Sequence, residues 1–248
     1  MAETEKSCGC KGKCFGAAVL ALGIALGGFF PGYYYYQAKI NNNSVSVKGL
    51  AEMDVKADLA VWDLKFVVTG NDLQLSRQEV SSQAAAIRQF LLEKGFTNEE
   101  ISDGRIETND LMANPYRSNE LNGARFILTQ TIKVRTHNVD LVENALAQTG
   151  DLIGKGVIFD SQSYGYPVSY VFTRLNEIKP QMLEEATKNA KEAALEFAKS
   201  SGSKVGKIRR ANQGVFSILP GEQTSNAMEM QQINKKVRVV STIEYWLD

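Results

Sequence analysis

The pattern of apolar and polar positions divides the chain into two regions. Phe15 to Phe30, with the sequence FGAAVLALGIALGGFF, contains no charged residue. From Val45 onward, apolar residues recur at every second position in some segments and at every third or fourth position in others. The first spacing predicts half-buried strands, and the second predicts amphipathic helices.

Two segments have the clearest strand pattern. In Asp58 to Thr69 the apolar residues alternate with polar ones, and Arg125 to Thr136 repeats this alternation. Such alternation is typical of a strand with one buried face. Further strands are predicted at Val45–Gly49, Ile101–Leu111, Gly156–Phe172, Lys207–Ile218 and Lys235–Leu247.

One long and two shorter helices accompany these strands. The first shorter helix begins at an Asn71 or Asp72 cap and ends at Gly95, and the second follows the cap residue Asn138. The long helix covers about 174–200. Its predicted buried side consists of Leu175, Ile178, Met182, Ala186, Ala190, Ala193 and Phe197.

These elements indicate an α+β fold in which helices pack on antiparallel strands. The order of helix, glycine, strand, polar loop and strand occurs twice, at about 72–136 and again at about 174–247. The residues of the two segments do not match, so the parallel concerns architecture and not sequence.

The uncharged N-terminal run predicts a transmembrane signal-anchor over 15–36. Its 16 residues would span roughly 24 Å as a helix, while a bilayer core needs roughly 30 Å. Pro31 to Tyr36 would complete the span, with the tyrosines at the headgroup level. The predicted anchor residues are Phe15, Phe30, Tyr33, Tyr34, Tyr35 and Tyr36. A cleaved signal peptide and a buried helix are the alternatives.

The flanking charges predict the orientation of this anchor. Lys6, Lys11 and Lys13 precede the span, so the positive-inside rule places the N-terminus in the cytoplasm. The main domain would then lie in the periplasm, with the anchor in the inner membrane. Gly23 and Gly27 form a G-x-x-x-G pair that would permit close helix–helix approach.

The cysteines lie only near the N-terminus, in a predicted tail over 1–14. Cys8, Cys10 and Cys14 are the three cysteines of the chain, which excludes a disulfide-stapled domain. Three thiolates in seven residues could hold a soft metal, or the tail could be reduced and flexible. A polar linker over 37–44 and a domain over 45–248 would follow.

The residue inventory favours a protein without catalytic activity, cofactor or metal. The 28 basic and 28 acidic residues balance, so no charge bias points to nucleic acid. His137 is the single histidine, and phosphate-binding and nucleophile motifs are missing from the sequence. A hydrolase that uses paired carboxylates remains open.

Three features indicate interaction surfaces instead. Tyr164, Tyr166 and Tyr170 would share one side of a strand, either to stack on a ligand or subunit or to pack under the long helix. Lys204 to Arg210, with Lys235, Lys236 and Arg238, would form a polyanion patch or a solvated strand face. Two polar loops present further candidates: Tyr116, Met228 and Met230.

Three segments, in this order, resemble the SIMPL-domain family, a bacterial envelope family once catalogued as a domain of unknown function. They are VSVKGLAEMDVKADLAVWDLKF, LLEKGFTNEEISDGRIETNDLMANPY and EEATKNAKEAALEFAKSSGSKVGKIRRANQ. The likeness covers Val45 to Leu247, although Ala57-Asp58 stands where the family has Pro-Asp. The resemblance implies an exported, oligomer-forming α+β domain with stress-related roles, and it implies no catalytic residues.

The leading hypothesis is therefore a membrane-anchored envelope protein whose domain self-assembles or binds a partner, with a role in envelope stress. The alternative is a periplasmic module that binds a small ligand through the tyrosine face.

Overall fold

The structure is a computed structural model that describes residues 10–40, 43–113, 123–160, 167–222, 224 and 228–248. Five α-helices and nine strands lie in this part of the chain. The helices are α1 (Cys10–Ile40), α2 (Leu73–Glu93), α3 (Val139–Leu146), α4 (Gly150–Gly154) and α5 (Leu175–Ser201). The strands are β1 (Ser44–Lys56), β2 (Leu59–Gly70), β3 (Ile101–Asp103), β4 (Glu107–Asp110), β5 (Phe126–Thr136), β6 (Val168–Val171), β7 (Val205–Gln213), β8 (Ser217–Pro220) and β9 (Asn234–Leu247).

The strands form two sheets, which confirms the predicted α+β class with antiparallel strands. One sheet has the order β3-β5-β2-β6, and β4 also pairs with β5. The other sheet has the order β1-β9-β7, and β8 also pairs with β9. By its contacts the chain separates into two compact units: residues 1–49, 187–213 and 241–248 form unit 1, and residues 50–186 and 214–240 form unit 2.

Unit 2 contains the larger core. Its centre is the apolar face of β2, whose Trp62, Leu64 and Phe66 are at most 2% exposed. They pack with Ile87 of α2 and Ile132 of β5. The alternating patterns thus predicted the buried faces of β2 and β5 correctly, because both strands cover one helix layer.

A smaller core lies in unit 1. Ala190 and Ala194 of α5 pack against Ile243 and Tyr245 of β9 and against Val47 of β1. The small alanine side chains let the helix backbone approach the sheet closely. The buried side of α5 continues at every fourth residue through Ala194 and Ala198, and Phe197 is 61% exposed. The prediction that Ala193 and Phe197 continue the buried side was therefore wrong for Phe197.

Helices α2 and α5 end in the same way. Gly95 and Gly202 have φ angles of 100° and 71°, which side-chain-bearing residues rarely adopt. After α2, Phe96 N–H donates to Leu91 O, and after α5 the N–H of Ser203 donates to Ala198 O. Both ends show the glycine-terminated pattern that satisfies the last helical carbonyls.

Two predicted strands are shorter than expected. The segment predicted as one strand over Ile101–Leu111 is divided into β3 and β4. Gly104 N–H still donates to Thr131 O at 2.8 Å in the β3 register, and the register shifts by one residue before Glu107 pairs with Thr129. The strand predicted over Gly156–Phe172 is reduced to β6 and a single bridge of Phe159 to Phe66. Residues 161–166 lie outside the described part.

The predicted transmembrane anchor over 15–36 is wrong, and so is the inner-membrane location with a periplasmic domain that it implied. Among the described residues, none of the helices combines the length and the apolar character that a membrane crossing requires. Helix α1 is long, but Pro31, its glycines and its tyrosines lower the mean hydropathy. Phe15 belongs to this helix, and exposed side chains follow along it: Phe30, Tyr33, Tyr34, Tyr35 and Tyr36.

Candidate interaction surfaces

Strand β7 is the most exposed strand of unit 1. It pairs with β9 on one side, and among the described residues no strand lies on its other side. All seven residues from 207 to 213 are exposed. An edge strand of this kind offers unpaired backbone groups to another chain.

The register of β7 shows which backbone groups point outward. Gly214 N–H donates to Val240 O, and Gln213 is the next pair along, opposite Ser241. In an antiparallel ladder, hydrogen-bonded and non-hydrogen-bonded pairs alternate. Asn212 therefore bonds with β9, whereas the N–H and C=O groups of Ala211 and Gln213 point to the open edge.

The other end of β7 is irregular. The register shifts between Val205 and Ile208 and again between Ile208 and Arg210. These shifts have the form of β-bulges, which bend a strand and re-aim its side chains. The regular part of the open edge is thus the segment from 210 to 213.

A polar cluster fixes the base of this edge. Arg209 Nη1 donates to Glu244 Oε1 at 2.8 Å, and the Ser44 hydroxyl donates to the same oxygen at 2.6 Å. The Ser44 hydrogen bond and then the charge of Arg209 hold the pKa of Glu244 below its ordinary value. The guanidinium of Arg209 also lies 4.6 Å from the ring centre of Trp246. Arg209 is therefore held in place by three neighbours.

Two further basic residues of β7, and Lys204 just before it, are exposed. Lys207 and Arg210 form no ion pair with the described residues, although the charge of Arg210 acts on Glu244, the residue opposite it on β9. Their backbone is held firmly, since Lys204 and Asp248 exchange two hydrogen bonds of 2.9 Å. This end of the edge thus has a hydrogen-bonded backbone and exposed positive charge.

The three basic residues of β9 have other roles in unit 2. The Lys235 side chain is fully buried and forms an ion pair with Glu229. Lys236 lies 3.4 Å from Asp54, and Arg238 lies 3.7 Å from Glu52. The predicted polyanion patch therefore has its free charges on β7 alone.

Lys235 also braces the loop that carries Met228 and Met230. Its Nζ donates to Glu229 O at 2.6 Å in addition to the ion pair. The Gln232 side chain accepts from Glu222 N–H and donates to Glu222 O, which closes the base of the loop. Met228 and Met230 are 57% and 60% exposed, as their proposed contact role requires.

The one tyrosine of the predicted tyrosine face that the structure describes is buried. Tyr170 lies on β6 and is 6% exposed within the core of unit 2. Burial raises the pKa of its hydroxyl, and the charges of Glu143 and Asp140 add to this. Tyr170 is therefore buried, as the packing alternative required, but it packs in the core that includes α3 and not under the long helix α5. Tyr116, Tyr164 and Tyr166 lie outside the described residues.

A polar groove of about 510 Å³ crosses the open face of the five-stranded sheet. Its charged residues are largely paired with each other or with neighbours: Lys133 with Asp63, Arg105 with Glu107, Lys65 with Asp160 and Arg88 with Asp103. The sequence predicted that Asp63 and Lys133 point away from the core, but not that they lie opposite each other. Because these charges already have partners, the groove offers little to a charged ligand.

His137 and Asp58 both form hydrogen bonds to neighbouring parts of the fold. His137 Nδ1 lies 2.7 Å from Asp58 O, at the joint before α3, where Asn138 caps the helix as predicted. Burial opposes the ionisation of Asp58, yet bonds from the hydroxyl and amide of Thr173 and the charge of Arg174 lower its pKa. The described residues include no group of three His, Cys, Asp or Glu side chains that could hold a metal ion.

Comparison with known proteins identifies the family. No curated protein matches the chain. The family described as SIMPL, a protein of unknown function (DUF541), matches residues 45–244. This match covers β1 to β9 almost completely and leaves out α1. The chain therefore belongs to the SIMPL family.

Proposed function

We propose that this protein is a non-catalytic interaction module that binds a protein partner through the open edge of β7. The observation that carries the proposal is the combination of seven consecutive exposed residues and outward backbone groups on a strand paired on one side. Main-chain hydrogen bonds to an added strand are a common mode of peptide recognition.

The braced methionine loop supports an interaction role in unit 2. Burying a lysine to hold a surface loop costs free energy, because the charge loses its hydration. Methionine side chains are flexible and polarisable, and they adapt well to apolar partners. Met228 and Met230 are therefore a second contact surface of the module.

Site-specific photo-cross-linking tests this function. Benzoylphenylalanine at Asn212 is expected to give a discrete cross-linked product in the native cells, and the same group at Glu196 on α5 is the matched control. The Asn212 product should vanish in an Ala211→Pro background, because proline removes one outward N–H group. Equal products at both positions, or a product that survives Ala211→Pro, would contradict the proposal.

Self-association through α1 is a second candidate. Large apolar side chains are exposed along this helix from Val19 to Tyr36. Contiguous exposed apolar surface usually marks an interaction site. A Cβ at Gly23 or Gly27 would meet nothing within 4 Å, so a second copy of α1 could approach closely there.

Sedimentation of the full chain tests this candidate. Gly23→Leu with Gly27→Leu is expected to lower the self-association constant, since the bulky side chains prevent the close approach. The control is Glu192→Leu, at an exposed position on α5. A strict monomer at micromolar concentration, before any substitution, would rule self-association out. A stress-related role stays a prediction.

A further inference from the structure

The open edge of β7 is rich in basic residues. Lys204, Lys207, Arg209 and Arg210 lie within seven residues, and the acidic residues beside them are Glu244 on β9 and Asp248 just after it. Since Glu244 is already bonded to Arg209 and Ser44, its charge is largely used inside the cluster. The edge therefore presents net positive charge.

A second copy of β7 is a poor occupant of this edge. Pairing two β7 strands would double the basic charge along one narrow ribbon. Like charges placed across neighbouring strands destabilise a sheet. Basic side chains on an edge are also a common protection against pairing with identical chains.

An added strand with acidic side chains would be attracted to this edge and not repelled. Carboxylates on such a strand would lie beside Arg210 in the paired segment and near Lys207 just before it. Neither residue has an ion pair within the described residues, although Arg210 also faces Glu244 across the ladder with β9. At the same time, the N–H and C=O groups of Ala211 and Gln213 would gain up to four main-chain hydrogen bonds. We infer that β7 binds an extended, acidic peptide segment of a partner protein by adding it as a strand at this edge.

This inference rests on the proposed function and names the partner's chemistry. Charge would guide the encounter and select the partner, and backbone pairing would fix its register. The bulges at Ile208 and Arg210 confine regular pairing to the segment from 210 to 213. The recognised segment is accordingly short.

Fluorescence anisotropy with labelled synthetic peptides tests the inference on the full chain. The acidic peptide TEVEVEVET is expected to bind, and the basic peptide TKVKVKVKT is expected to bind at least roughly tenfold more weakly. The acidic peptide with N-methyl groups at alternate residues should lose binding to a similar extent, because its backbone cannot complete the ladder.

Three variants separate the contribution of side-chain charge to peptide binding from that of backbone hydrogen bonds. Lys207→Glu with Arg210→Glu should invert the preference toward the basic peptide. Ala211→Pro should weaken the acidic peptide roughly tenfold, while Ala211→Val, which keeps the outward N–H, should not. Melting temperatures of all variants show whether each is folded. If Ala211→Pro does not fold, the N-methylated peptide alone tests the backbone contribution.

Several outcomes would overturn the inference. Equal binding of the N-methylated peptide, or full competition by inorganic polyphosphate, would show a general polyanion surface. Dimerisation that is sensitive to Ala211→Pro would make a second copy the occupant. If all peptides fail while the Asn212 cross-link still depends on Ala211, the partner is not acidic and the proposed function stands. If the Asn212 cross-link also fails, both the inference and the proposed function are wrong.

Discussion

At the scale of single residues, the structure shows a buried charged side chain that the sequence analysis did not predict. Lys235 is one of several lysines in a basic segment, and its charge gives no sign that it is buried. Its burial follows from the alternation of β9, since Lys235 shares a face with Val237 and Val239, which are fully buried. Glu229, six residues earlier, returns on a short turn to meet it.

We expect Lys235→Ala to lower the free energy of unfolding by about 3 kcal/mol, because it leaves Glu229 without its partner and opens a cavity. Urea denaturation measures this change. Lys207→Ala on the exposed edge is the matched control and should have little effect. A loss at Lys235 as small as the control would show that the ion pair does not stabilise the loop.

A second residue prediction concerns pH. Thr173 N–H and hydroxyl donate to the Asp58 carboxylate at 2.6 and 2.7 Å, and the pKa of Asp58 is below its ordinary value. A lowered folded-state pKa contributes stability above the unfolded pKa, and that stability is lost as the pH falls through the folded pKa.

The Asp58→Asn variant should therefore be less stable than the wild type at pH 7, by roughly 1–2 kcal/mol. The difference should shrink as the pH falls below about 4, the ordinary aspartate pKa that applies to the unfolded chain, and through the lower pKa of the folded-state carboxylate. Thermal melts across this range measure it. A difference that is constant with pH would mean that the hydrogen bonds do not depend on the charge of Asp58.

At the scale of elements, periodic segments were predicted well and contacts distant in sequence were not. Strands β2 and β5 and helix α2 with its Asp72 cap lie within one or two residues of their predicted bounds. The division of β3 from β4 is a one-residue shift in their pairing with β5, and Phe197 is exposed because Ala194 and Ala198 take the buried positions. Local periodicity does not contain this information.

The ends of α2 and α5 give a prediction at this scale. Gly95→Ala and Gly202→Ala should each destabilise the protein by about 1 kcal/mol, because alanine strains the positive φ angle. Gly154→Ala is the control, since the space around Gly154 is open and its φ is not positive. Equal melting temperatures for all three variants would show that these helix ends tolerate rearrangement.

At the scale of the whole molecule, the two sheets share one pairing scheme. In sequence order, α2, β3, β4 and β5 correspond to α5, β7, β8 and β9, and the last strand of each set pairs with both preceding strands. β2 and β1 take the equivalent places beside β5 and β9. This confirms the architectural parallel predicted from the sequence.

The open edge could not be predicted from that parallel. β3 has three residues, whereas β7, in the equivalent place, has nine. Edge status depends on whether a neighbouring strand is present, and a strand's own residues only hint at it through their charge. The basic segment from Lys204 to Arg210 was therefore noted in the sequence without its structural context.

The stacking of Arg209 on Trp246 provides the protein with an optical reporter. The chain has two tryptophans, and Trp62 is 1% exposed in the core of unit 2. Acrylamide should therefore quench the emission of Trp246 and leave that of Trp62 nearly unchanged. A partner that moves Arg209 away from the ring would change this quenching, so unlabelled protein could report such a movement by its own fluorescence. Quenching that stays the same with saturating acidic peptide would show that Arg209 keeps its place on the ring.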